Sequence, residues 1–344
     1  MNRPQSSEAS SSSFATSLAS MLYRLKEARP RVGLMQRIKG RASAIAWKAL
    51  VKTGVCGADP VVRVPVGQRE IFLNSSHRLP SLLRLPYYDR LLPRLAKFIE
   101  QQQGQLVMID VGANVGDTVT LVQDAVDGEF LCVEPNPEFF PLLVQNTTHL
   151  QKVTCVNALV APTSDDNVSA LQFKTVAGTA FLNVDGNSNG AVVAPRCASP
   201  SVASVDQLIE GHPSFSRTNL LKVDTDGYDF NVLRSAERLI HSQKPILFFE
   251  YSPWHLLHVG KNDPLDALTT MMSWGYSKAI FYDSHGYLFM TAAHDELSKI
   301  QDAIAYARRK AFYYDVLLFP DEQRDGRELF YQQELQVFPE YKWY

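Results

Sequence analysis

The stretch IDVGANVGDT, residues 109–118, sets two glycines and an asparagine directly behind an apolar run. An apolar strand followed at once by Gly112, Asn114 and Gly116 predicts a sharp turn from a β-strand into a helix. In layered α/β sheets this first strand-to-helix turn binds cofactors, because its backbone N–H groups and the helix N-terminus face the ligand. The alternative is a tight turn that only packs the helix on the strand.

Short apolar runs of the same kind recur along the chain and alternate with helical segments. The runs are LVMIDV (106–111), FLCVE (130–134), VTCVNAL (153–159), LLKVD (220–224), ILFFE (246–250), AIFYD (279–283) and DVLLF (315–319). Continuous apolar strands that alternate with helices predict a parallel sheet with helices on both faces. The runs LVMIDV, FLCVE, LLKVD and ILFFE carry an acid at or near the carboxyl end, where such sheets bind ligands: Asp110, Glu134, Asp224 and Glu250.

The chemistry of the turn discriminates between cofactors. A nicotinamide site usually carries GxGxxG, whereas this turn has GxxxG with Asn114 between the glycines, and the GK[ST] of a P-loop does not follow. S-adenosylmethionine has no phosphate, and its ammonium and carboxylate require a carboxylate, free N–H groups and an amide. Asp110, the turn and Asn114 supply that set. Glu134 is placed to accept the ribose hydroxyls, although nicotinamide enzymes carry an acid there too.

Five segments in order resemble the FkbM-type family of S-adenosylmethionine-dependent methyltransferases. They are DVGANVGDT, EPNPEFFPLLVQN, VNAL, LLKVDTDGYDFNVLRSA and PILFFEYSP, within a match from about Leu106 to Pro320. The resemblance implies an α/β fold with a seven-stranded Rossmann-like sheet, its last strand antiparallel and helices on both faces. It also implies O-methylation, commonly of a sugar hydroxyl or another secondary alcohol in glycan or natural-product assembly. The usual KIDVEGAE is KVDTDGYD here, with Asp226 and Asp229 in place of glutamates.

The resemblance also implies further cofactor contacts. Asn136 lies in the EPNP motif, and Asn157 ends the third strand, where the family contacts the adenine. For Asn157 a satisfied strand-end amide is the alternative explanation. The predicted cofactor-binding residues are Asp110, Gly112, Asn114, Gly116, Glu134, Asn136, Asn157 and Asp224.

The catalytic candidates follow the fourth and fifth strands. Methyl transfer requires an aligned oxygen nucleophile, exclusion of water and removal of a proton, and a sugar hydroxyl is so weak an acid that it needs a base. Asp224 is expected beside the transferred methyl, and Asp226 toward the acceptor as the base, with His255 as the competing base. Glu250 ends the next strand, and Trp254 either forms an aromatic platform for a sugar ring or packs as part of a helix cap and core.

Two rival functions remain open from the residues alone. Asp224-Thr-Asp226 matches the DxD signature of nucleotide-sugar glycosyltransferases, in which two carboxylates hold a divalent ion on a diphosphate. A non-catalytic scaffold protein with a cofactor-binding fold is the second alternative. A methyltransferase would need no metal to bind its cofactor, so no metal site is expected, although a divalent ion on Asp224 and Asp226 for the acceptor stays open.

Composition divides the chain into four parts. Residues 1–20 are serine-rich and predicted to be disordered, 21–100 form a basic, helical extension, 101–325 form the methyltransferase domain, and 326–344 form a C-terminal tail. The segment 160–218 is too long for a plain connection. Its stretch GTAFLNVDGNSNGAVV predicts a β-hairpin near the acceptor site, as a wall or lid, or as surface decoration.

Charge and hydropathy narrow the partners and the location. The formal net charge of −2 gives no electrostatic reason to expect a nucleic-acid partner. The sequence shows neither a stretch of about twenty apolar residues nor the apolar core of a secretory signal, which favours the cytoplasm. The basic segment from Met21 to about Lys52 is a weak membrane-surface arm, a transit-like leader or a packed helical preface. The four scattered cysteines are expected to be free thiols.

Overall fold

The computed structural model describes residues 16–24, 42, 45–49, 51–52, 59–162, 172–176, 179–183, 200–310 and 312–338, with the backbone alone for residues 172–176 and 179–183. The chain divides into two compact units, Met1–Ser81 and Leu82–Tyr344. Among the described residues, no helix is long and apolar enough to cross a membrane.

The first unit combines helical segments with a small sheet. Residues 16–24, 45–49 and 51–52 are helical, and strands β1 (Val61–Val66) and β2 (Arg69–Asn74) form an antiparallel pair. The backbone N–H of Arg63 donates to Ser20 Oγ at 2.8 Å, which fixes the first helix on β1. The extension is therefore not wholly helical, and a helix begins inside the stretch 1–20 that was expected to be disordered. Most of the basic arm lies outside the described residues.

The second unit contains twelve described strands. They are β3 (Leu106–Val111), β4 (Gly128–Val133), β5 (Val153–Val156), β6 (Ala158–Val160), β7 (Gln172–Val176), β8 (Thr179–Asn183), β9 (Ser201–Ala203), β10 (Leu220–Val223), β11 (Ile246–Tyr251), β12 (Lys278–Asp283), β13 (Leu288–Ala293) and β14 (Tyr314–Leu318). Eight of them form one sheet in the order β13-β12-β14-β11-β10-β3-β4-β5. The predicted strands are all present, with bounds shifted by a few residues at most and the third run divided into β5 and β6.

The sheet is parallel in its centre and antiparallel at one side. Strand β3 lies parallel to β4 and β10, and the parallel pairing continues to β5 and to β11. The last strand, β14, runs antiparallel to β11 and β12, as expected. The fold class is confirmed, with one strand more than the expected seven. The additional strand, β13, pairs with β12 at the sheet edge and is only partly buried, so LFMTAA lacks the continuous apolar run of a central strand.

Helices cover both faces of this sheet. They are Leu91–Gln103, Asp117–Gln123, Phe140–Thr147, Val205–Gly211, Asp229–Ser235, Glu237–Gln243, Pro253–His258, Pro264–Ser273, Leu297–Lys310 and Arg324–Val337, with 3₁₀ turns at Pro213–Arg217 and Asp321–Gln323. A further short helix, Leu79–Leu82, contains residues of both units. Strand β3 shows the two faces clearly, because Val107, Ile109 and Val111 join one apolar core while Leu106 and Met108 join the other. This alternation with a period of two is the geometry of a strand buried on both sides.

The C-terminal segment is part of the folded unit and extends it beyond residue 325. Within the helix Arg324–Val337, Phe330 is buried against Phe98, with ring centroids 5.2 Å apart. Glu334 is 1% exposed and receives Arg94 Nε at 2.7 Å on Oε1. The tail predicted at 326–344 is therefore a packed helix as far as residue 337.

The insertion 160–218 is only partly described. Strands β7 and β8 form the antiparallel hairpin that was predicted for this segment, slightly earlier in the chain than expected. Strand β9 lies parallel to β6, and the helix Val205–Gly211 begins with a capping box between Ser204 and Gln207. Residues 163–171 and 184–199 lie outside the described residues, so the role of the insertion as a wall or lid stays a prediction.

Candidate active site

The centre of the sheet brings three strand ends together. The chain crosses over between β3 and β10, and ligands in open α/β sheets bind at the carboxyl ends beside such a switch point. The backbone N–H of Gly112 donates to Val133 O at 3.0 Å, and that of Asp224 donates to Val111 O at 3.0 Å. The ends of β4, β3 and β10 are therefore linked by backbone hydrogen bonds, and the predicted turn lies between its neighbours.

Gly112 is required by the protein's own backbone. Its φ is +81°, and a Cβ built on it would lie 1.9 Å from the carbonyl oxygen of Asp224. No side chain fits in that space, because real Cβ atoms never approach a backbone oxygen so closely. A Gly112→Val substitution would therefore disturb the junction with β10 before it blocked a cofactor.

Glu134 holds the turn with both of its carboxylate oxygens. Oε2 accepts the backbone N–H of Asn114 at 2.9 Å, and Oε1 accepts that of Asn136 at 2.8 Å. Asn114 has a φ of +49°, a left-handed conformation that asparagine tolerates better than most residues. Burial raises the pKa of Glu134 to about 7, against the two backbone hydrogen bonds, which lower it. The acid expected at the ribose is thus also the group that orders the first turn.

Two of the three asparagines assigned to the cofactor, Asn136 and Asn157, have protein partners for their side chains. Asn136 is 1% exposed, and its Oδ1 accepts the backbone N–H of Glu138 at 2.8 Å. Asn157 Nδ2 donates to the carbonyl oxygen of Glu134 at 2.8 Å. That contact is the strand-end amide which was the alternative explanation for Asn157. Cofactor contacts of both side chains stay predictions.

Lys222, which sequence reasoning missed, connects the acids of β3 and β10. Its Nζ lies 2.9 Å from Asp110 Oδ1 and 3.5 Å from Asp224 Oδ2, and it donates to Gly112 O at 3.1 Å. Burial lowers the pKa of Lys222, but the two carboxylates outweigh it and the net shift is upward. Asp110 is fully buried beside this cation, so its carboxylate lies in the protein interior, beneath the turn that begins at Gly112. A lysine within the apolar run LLKV was the available signal.

Further acids surround the turn. Asp117 is the first residue of the helix that Gly116 caps. Asp89 lies just before the helix Leu91–Gln103 and has a left-handed backbone conformation, with a φ of +54°. Burial, then the charges of Asp117 and Asp224, raise the pKa of Asp89 well above its ordinary value. Burial and then Asp224 do the same for Asp315 on β14. Such a concentration of carboxylates favours a ligand with positive charge, and only Asp224 among these acids was predicted.

The segment after β10 forms a compact turn that is closed by Asp229. The Oδ1 of Asp229 accepts the backbone N–H of Thr225 at 3.0 Å, and Oδ2 accepts that of Gly227 at 2.9 Å. A Cβ on Gly227 would lie 2.5 Å from His255 Cβ, so this glycine permits the close approach of the helix Pro253–His258. The turn thereby carries Asp226, with a φ of +51°, toward that helix.

Asp226, Glu250 and His255 come together at the end of β11. One ligand atom from each of the three side chains lies within 4.8 Å of the others. Glu250 is 7% exposed, and its Oε1 has no hydrogen-bond partner among the described residues. Burial, then the charge of Asp224, raise the pKa of Asp226 well above its ordinary value. Burial and then His258 lower the pKa of His255.

The aromatic residues beside this cluster have different surroundings. Tyr251 is fully buried and donates its hydroxyl to Pro264 O at 2.8 Å, so it belongs to the core. Trp254 is 52% exposed, and its ring centroid lies 4.5 Å from that of His258. Of the two, only Trp254 has the exposure that a platform for a ligand requires.

The structure separates the two acids of the Asp224-Thr-Asp226 signature. Asp224 faces Lys222 and its side chain is 50% exposed, whereas Asp226 lies with Glu250 and His255. A DxD site on a nucleotide sugar would need both carboxylates on one ion. The geometry therefore places the first acid on the side of the turn at Gly112 and the second on the side of β11.

Residues 110–278 match the family model described as the methyltransferase FkbM domain. This match confirms the resemblance of the five segments, and these residues belong to the FkbM methyltransferase family. The match supports methyl transfer over the glycosyltransferase alternative. No curated protein matches the chain.

Solved structures give weaker likenesses. The chain is similar to the methyltransferase FkbM from Methylobacillus flagellatus KT, with 14% identity, 74% of this chain and 52% of that chain covered, and a TM-score of 0.33. It thus spans about half the length of that protein. It is also similar to an O-methyltransferase from Bacillus cereus in complex with SAH, with 8% identity, 70% and 87% coverage and a TM-score of 0.36. A third similar structure is the precorrin-6y C5,15-methyltransferase from Geobacter metallireducens GS-15, with 12% identity, 66% of this chain and 87% of that chain covered, and a TM-score of 0.31. The family match alone identifies the class.

Proposed function

We propose that this protein is an S-adenosylmethionine-dependent O-methyltransferase that acts on a hydroxyl of a sugar, glycan or natural-product acceptor. The observation that carries the proposal is the convergence of carboxylates at neighbouring strand ends, next to a turn rich in backbone N–H groups. Glu134 orders the turn through Asn114, and Asp224 is half-exposed beside it. The family supports methyl transfer, and the chemistry of the side chains supports the cofactor and the hydroxyl acceptor.

The residues present fit S-adenosylmethionine. A sulfonium and an ammonium both carry positive charge, and the charges of Asp117 and Asp224 lie close enough to Asp89 to help burial raise its pKa. The carboxylate at the end of β4 is suited to ribose hydroxyls, since each oxygen of Glu134 retains acceptor capacity beyond its one backbone N–H. When bound, the cofactor would supply an activated methyl group, and the chain would supply orientation and exclusion of water.

On the acceptor side, the chain must hold a hydroxyl and remove its proton. Asp226 is the assigned base, because partial burial and neighbouring acids raise its pKa toward the range in which a carboxylate accepts protons efficiently. His255 is the competing base; its lowered pKa keeps it neutral but makes it the weaker acceptor. Trp254 offers an exposed ring beside both groups. We place the enzyme in the cytoplasm, with the basic extension as a weak contact to a membrane surface.

Titration with S-adenosylhomocysteine, followed by calorimetry, tests the cofactor assignment. Glu134→Ala should weaken binding by about 10–100-fold, the loss expected for hydrogen bonds to a charged group. Glu134→Gln keeps the shape and one acceptor oxygen and should lose less. Glu237→Gln serves as the matched control, since Glu237 is an exposed acid on a different helix. Unchanged affinity in folded Glu134→Ala protein would remove Glu134 from the site.

Transfer of a labelled methyl group tests the reaction itself. The protein is incubated with labelled S-adenosylmethionine and with glycan, lipid and small-molecule fractions of a cell extract. Label that is stable to mild base, as an ether is and an ester is not, should appear in a hydroxyl-bearing fraction. Tight cofactor binding with no transfer into any fraction would favour the non-catalytic scaffold alternative.

A further inference from the structure

We propose that Asp226, Glu250 and His255 bind a divalent cation of the Mn²⁺ class, which in turn holds the acceptor hydroxyl. The cation site is defined by these three side chains and is separate from the turn at Gly112 that is assigned to the cofactor. Its purpose rests on the proposed function, whereas its existence can be measured without any methyl transfer. This inference departs from the expectation of a metal-free enzyme.

The geometry of the cluster is the first argument. The three side chains come from separate segments, the turn after β10, the end of β11 and the helix Pro253–His258, yet their ligand atoms lie within 4.8 Å of one another. Gly227 makes this possible, because any side chain there would push His255 away. A cation placed among them would have two carboxylates and one imidazole at coordinating distance after small adjustments.

The unsatisfied oxygen of Glu250 is the second and independent argument. This residue is 7% exposed, and its Oε1 makes no hydrogen bond within the described part of the chain. That same oxygen points toward His255, whose Nδ1 lies 3.9 Å away, beyond hydrogen-bonding distance. Leaving a buried carboxylate oxygen without a partner is costly, and such groups in proteins are usually paired or coordinate metals.

The donor set decides the class of ion. Carboxylates suit Mg²⁺, Ca²⁺ and Mn²⁺, whereas imidazole suits the transition metals. Mn²⁺ is the ion that accepts both kinds of ligand readily, and two carboxylates balance its charge. Ser252 Oγ lies 3.0 Å from His255 Nδ1 and restricts the orientation of the ring.

Cation binding would reassign the roles of the nearby groups. A divalent ion lowers the pKa of a hydroxyl that it holds. The O–H bond of the acceptor then breaks, its electron pair stays on the oxygen, and the proton passes to water. Asp226 and His255 become ligands, and neither is needed as the base.

Mn²⁺ binding to the metal-stripped full-length protein tests the proposal directly. Electron paramagnetic resonance measures the free ion, and calorimetry gives the stoichiometry. One Mn²⁺ should bind, and Glu250→Gln, Asp226→Asn and His255→Gln should each weaken it by more than the about 10–100-fold that loss of an outer-shell partner costs. Nitrogen hyperfine coupling to bound Mn²⁺ should disappear in His255→Gln. Glu237→Gln is again the control and should bind as the unmodified protein does.

Two results would overturn the proposal: absence of Mn²⁺ binding at millimolar concentration, or retained affinity in Asp226→Asn, which would leave Asp226 as a base only. Affinity for S-adenosylhomocysteine, measured on every variant, reports whether the fold survives. It also separates the two proposals. Mn²⁺ binding without cofactor binding would support the cation site and contradict the proposed function. Cofactor binding without Mn²⁺ binding would support the proposed function and contradict the cation site.

Discussion

The two halves of the candidate site differ in how their acids are satisfied. At the ends of β3 and β4, Glu134 accepts two backbone N–H groups, and Asp110 has the cation Lys222 at 2.9 Å from its Oδ1, although its Oδ2 has no hydrogen-bond partner within the described chain. At the ends of β10 and β11, Asp226 and Glu250 lie together with His255, and one buried oxygen of Glu250 lacks a hydrogen-bond partner within the described chain. The first half is ordered by its own chain, whereas the second holds a cluster that a bound ligand would complete.

This difference indicates a division of labour. A turn whose acids are already engaged presents a fixed backbone surface, which suits a cofactor that is bound in the same way in every cycle. Acids with like charges that lie close together repel one another, which destabilises the empty protein. A bound cation or acceptor relieves that repulsion, so such a cluster is suited to catalysis. Changes in the first half should therefore affect folding and cofactor binding, and changes in the second should affect turnover.

The largest effect is expected at the junction of the two halves. Gly112→Ala places a Cβ 1.9 Å from Asp224 O in a residue with a φ of +81°, so the end of β3 and the end of β10 must separate. We expect the free energy of unfolding to fall by at least about 4 kcal/mol, the range of severe single substitutions. Urea denaturation followed by circular dichroism measures it.

Gly104→Ala is the matched control for this prediction. Gly104 ends the helix Leu91–Gln103 with a φ of +76°, but a Cβ there meets nothing within 4 Å. It should therefore cost only the about 1–2 kcal/mol of a left-handed alanine. Equal costs at the two glycines would show that the approach of Gly112 to Asp224 is not a constraint.

The second effect concerns turnover. Asp226→Asn deletes the charge and keeps the shape. If Asp226 is the base, as assigned under the proposed function, kcat should fall by about 10²–10⁴-fold. Affinity for S-adenosylhomocysteine should remain, because Asp226 is grouped with Glu250 and His255, which are assigned to the acceptor side. Steady-state kinetics at saturating cofactor measure the change.

His255→Gln is the comparison for Asp226→Asn. The imidazole is neutral because burial lowers its pKa, and the amide of glutamine can replace part of its hydrogen bonding. We expect the smaller loss of kcat at this position. Full activity in Asp226→Asn together with an inactive His255→Gln would reverse the assignment.

The fold was predictable because its signals are local. Seven apolar runs, each bounded by helical segments, matched seven of the eight strands of the main sheet, and DVGANVGDT fixed the first turn. Strand β13 was missed because LFMTAA lies at the edge with only part of its side chains buried, so it has no continuous apolar run. The C-terminal helix was missed because a polar segment such as RDGRELFYQQELQV reveals its few buried positions only when Phe98 and Arg94 are brought to it.

The candidate site was predictable as a set of acids but not as a set of contacts. The strand ends gave Glu134, Asp224 and Glu250 directly. Lys222 was missed, although a lysine inside an apolar strand is visible in LLKV, because its significance depends on Asp110 being its neighbour across the sheet. The grouping of Asp226 with Glu250 and His255 depends on how closely two segments approach at Gly227, and spacing along the chain does not encode that.

A third effect should appear as a dependence of cofactor binding on pH. Burial raises the pKa of Glu134 to about 7 from its ordinary value of 4.5, so the folded protein binds a proton there more tightly than the unfolded chain does. This group therefore favours folding below pH 4.5 and loses that contribution as the pH rises through 7. Ribose hydroxyls donate best to the ionised carboxylate of Glu134. Cofactor binding should therefore strengthen as the pH rises through 7, whereas the contribution of Glu134 to folding weakens.

Affinity for S-adenosylhomocysteine should accordingly fall by up to about tenfold for each pH unit below 7. Calorimetric titrations between pH 5.5 and pH 8 measure the dependence. Asp110 and Lys222 act on Glu134 from the neighbouring strands and are present in every variant compared. Glu134→Gln should flatten the profile around pH 7. An unaltered profile in this variant would assign the proton to another group, such as Asp229, whose pKa is also raised by burial to about 7.

The smallest effect is expected at the rim of the second half. Trp254 is 52% exposed and lies beside His255 and His258 instead of in the core. If its ring packs on the acceptor, Trp254→Ala should raise the acceptor KM by about 2–10-fold, the equivalent of one aromatic contact of about 0.5–1.5 kcal/mol, with kcat little changed. Tyr306→Ala removes an aromatic ring of similar exposure, 49%, from another helix and should leave KM unchanged. An equal KM in both variants would place the acceptor elsewhere on the cluster. A fall in kcat alone for Trp254→Ala would show that the ring positions His255 and does not bind substrate.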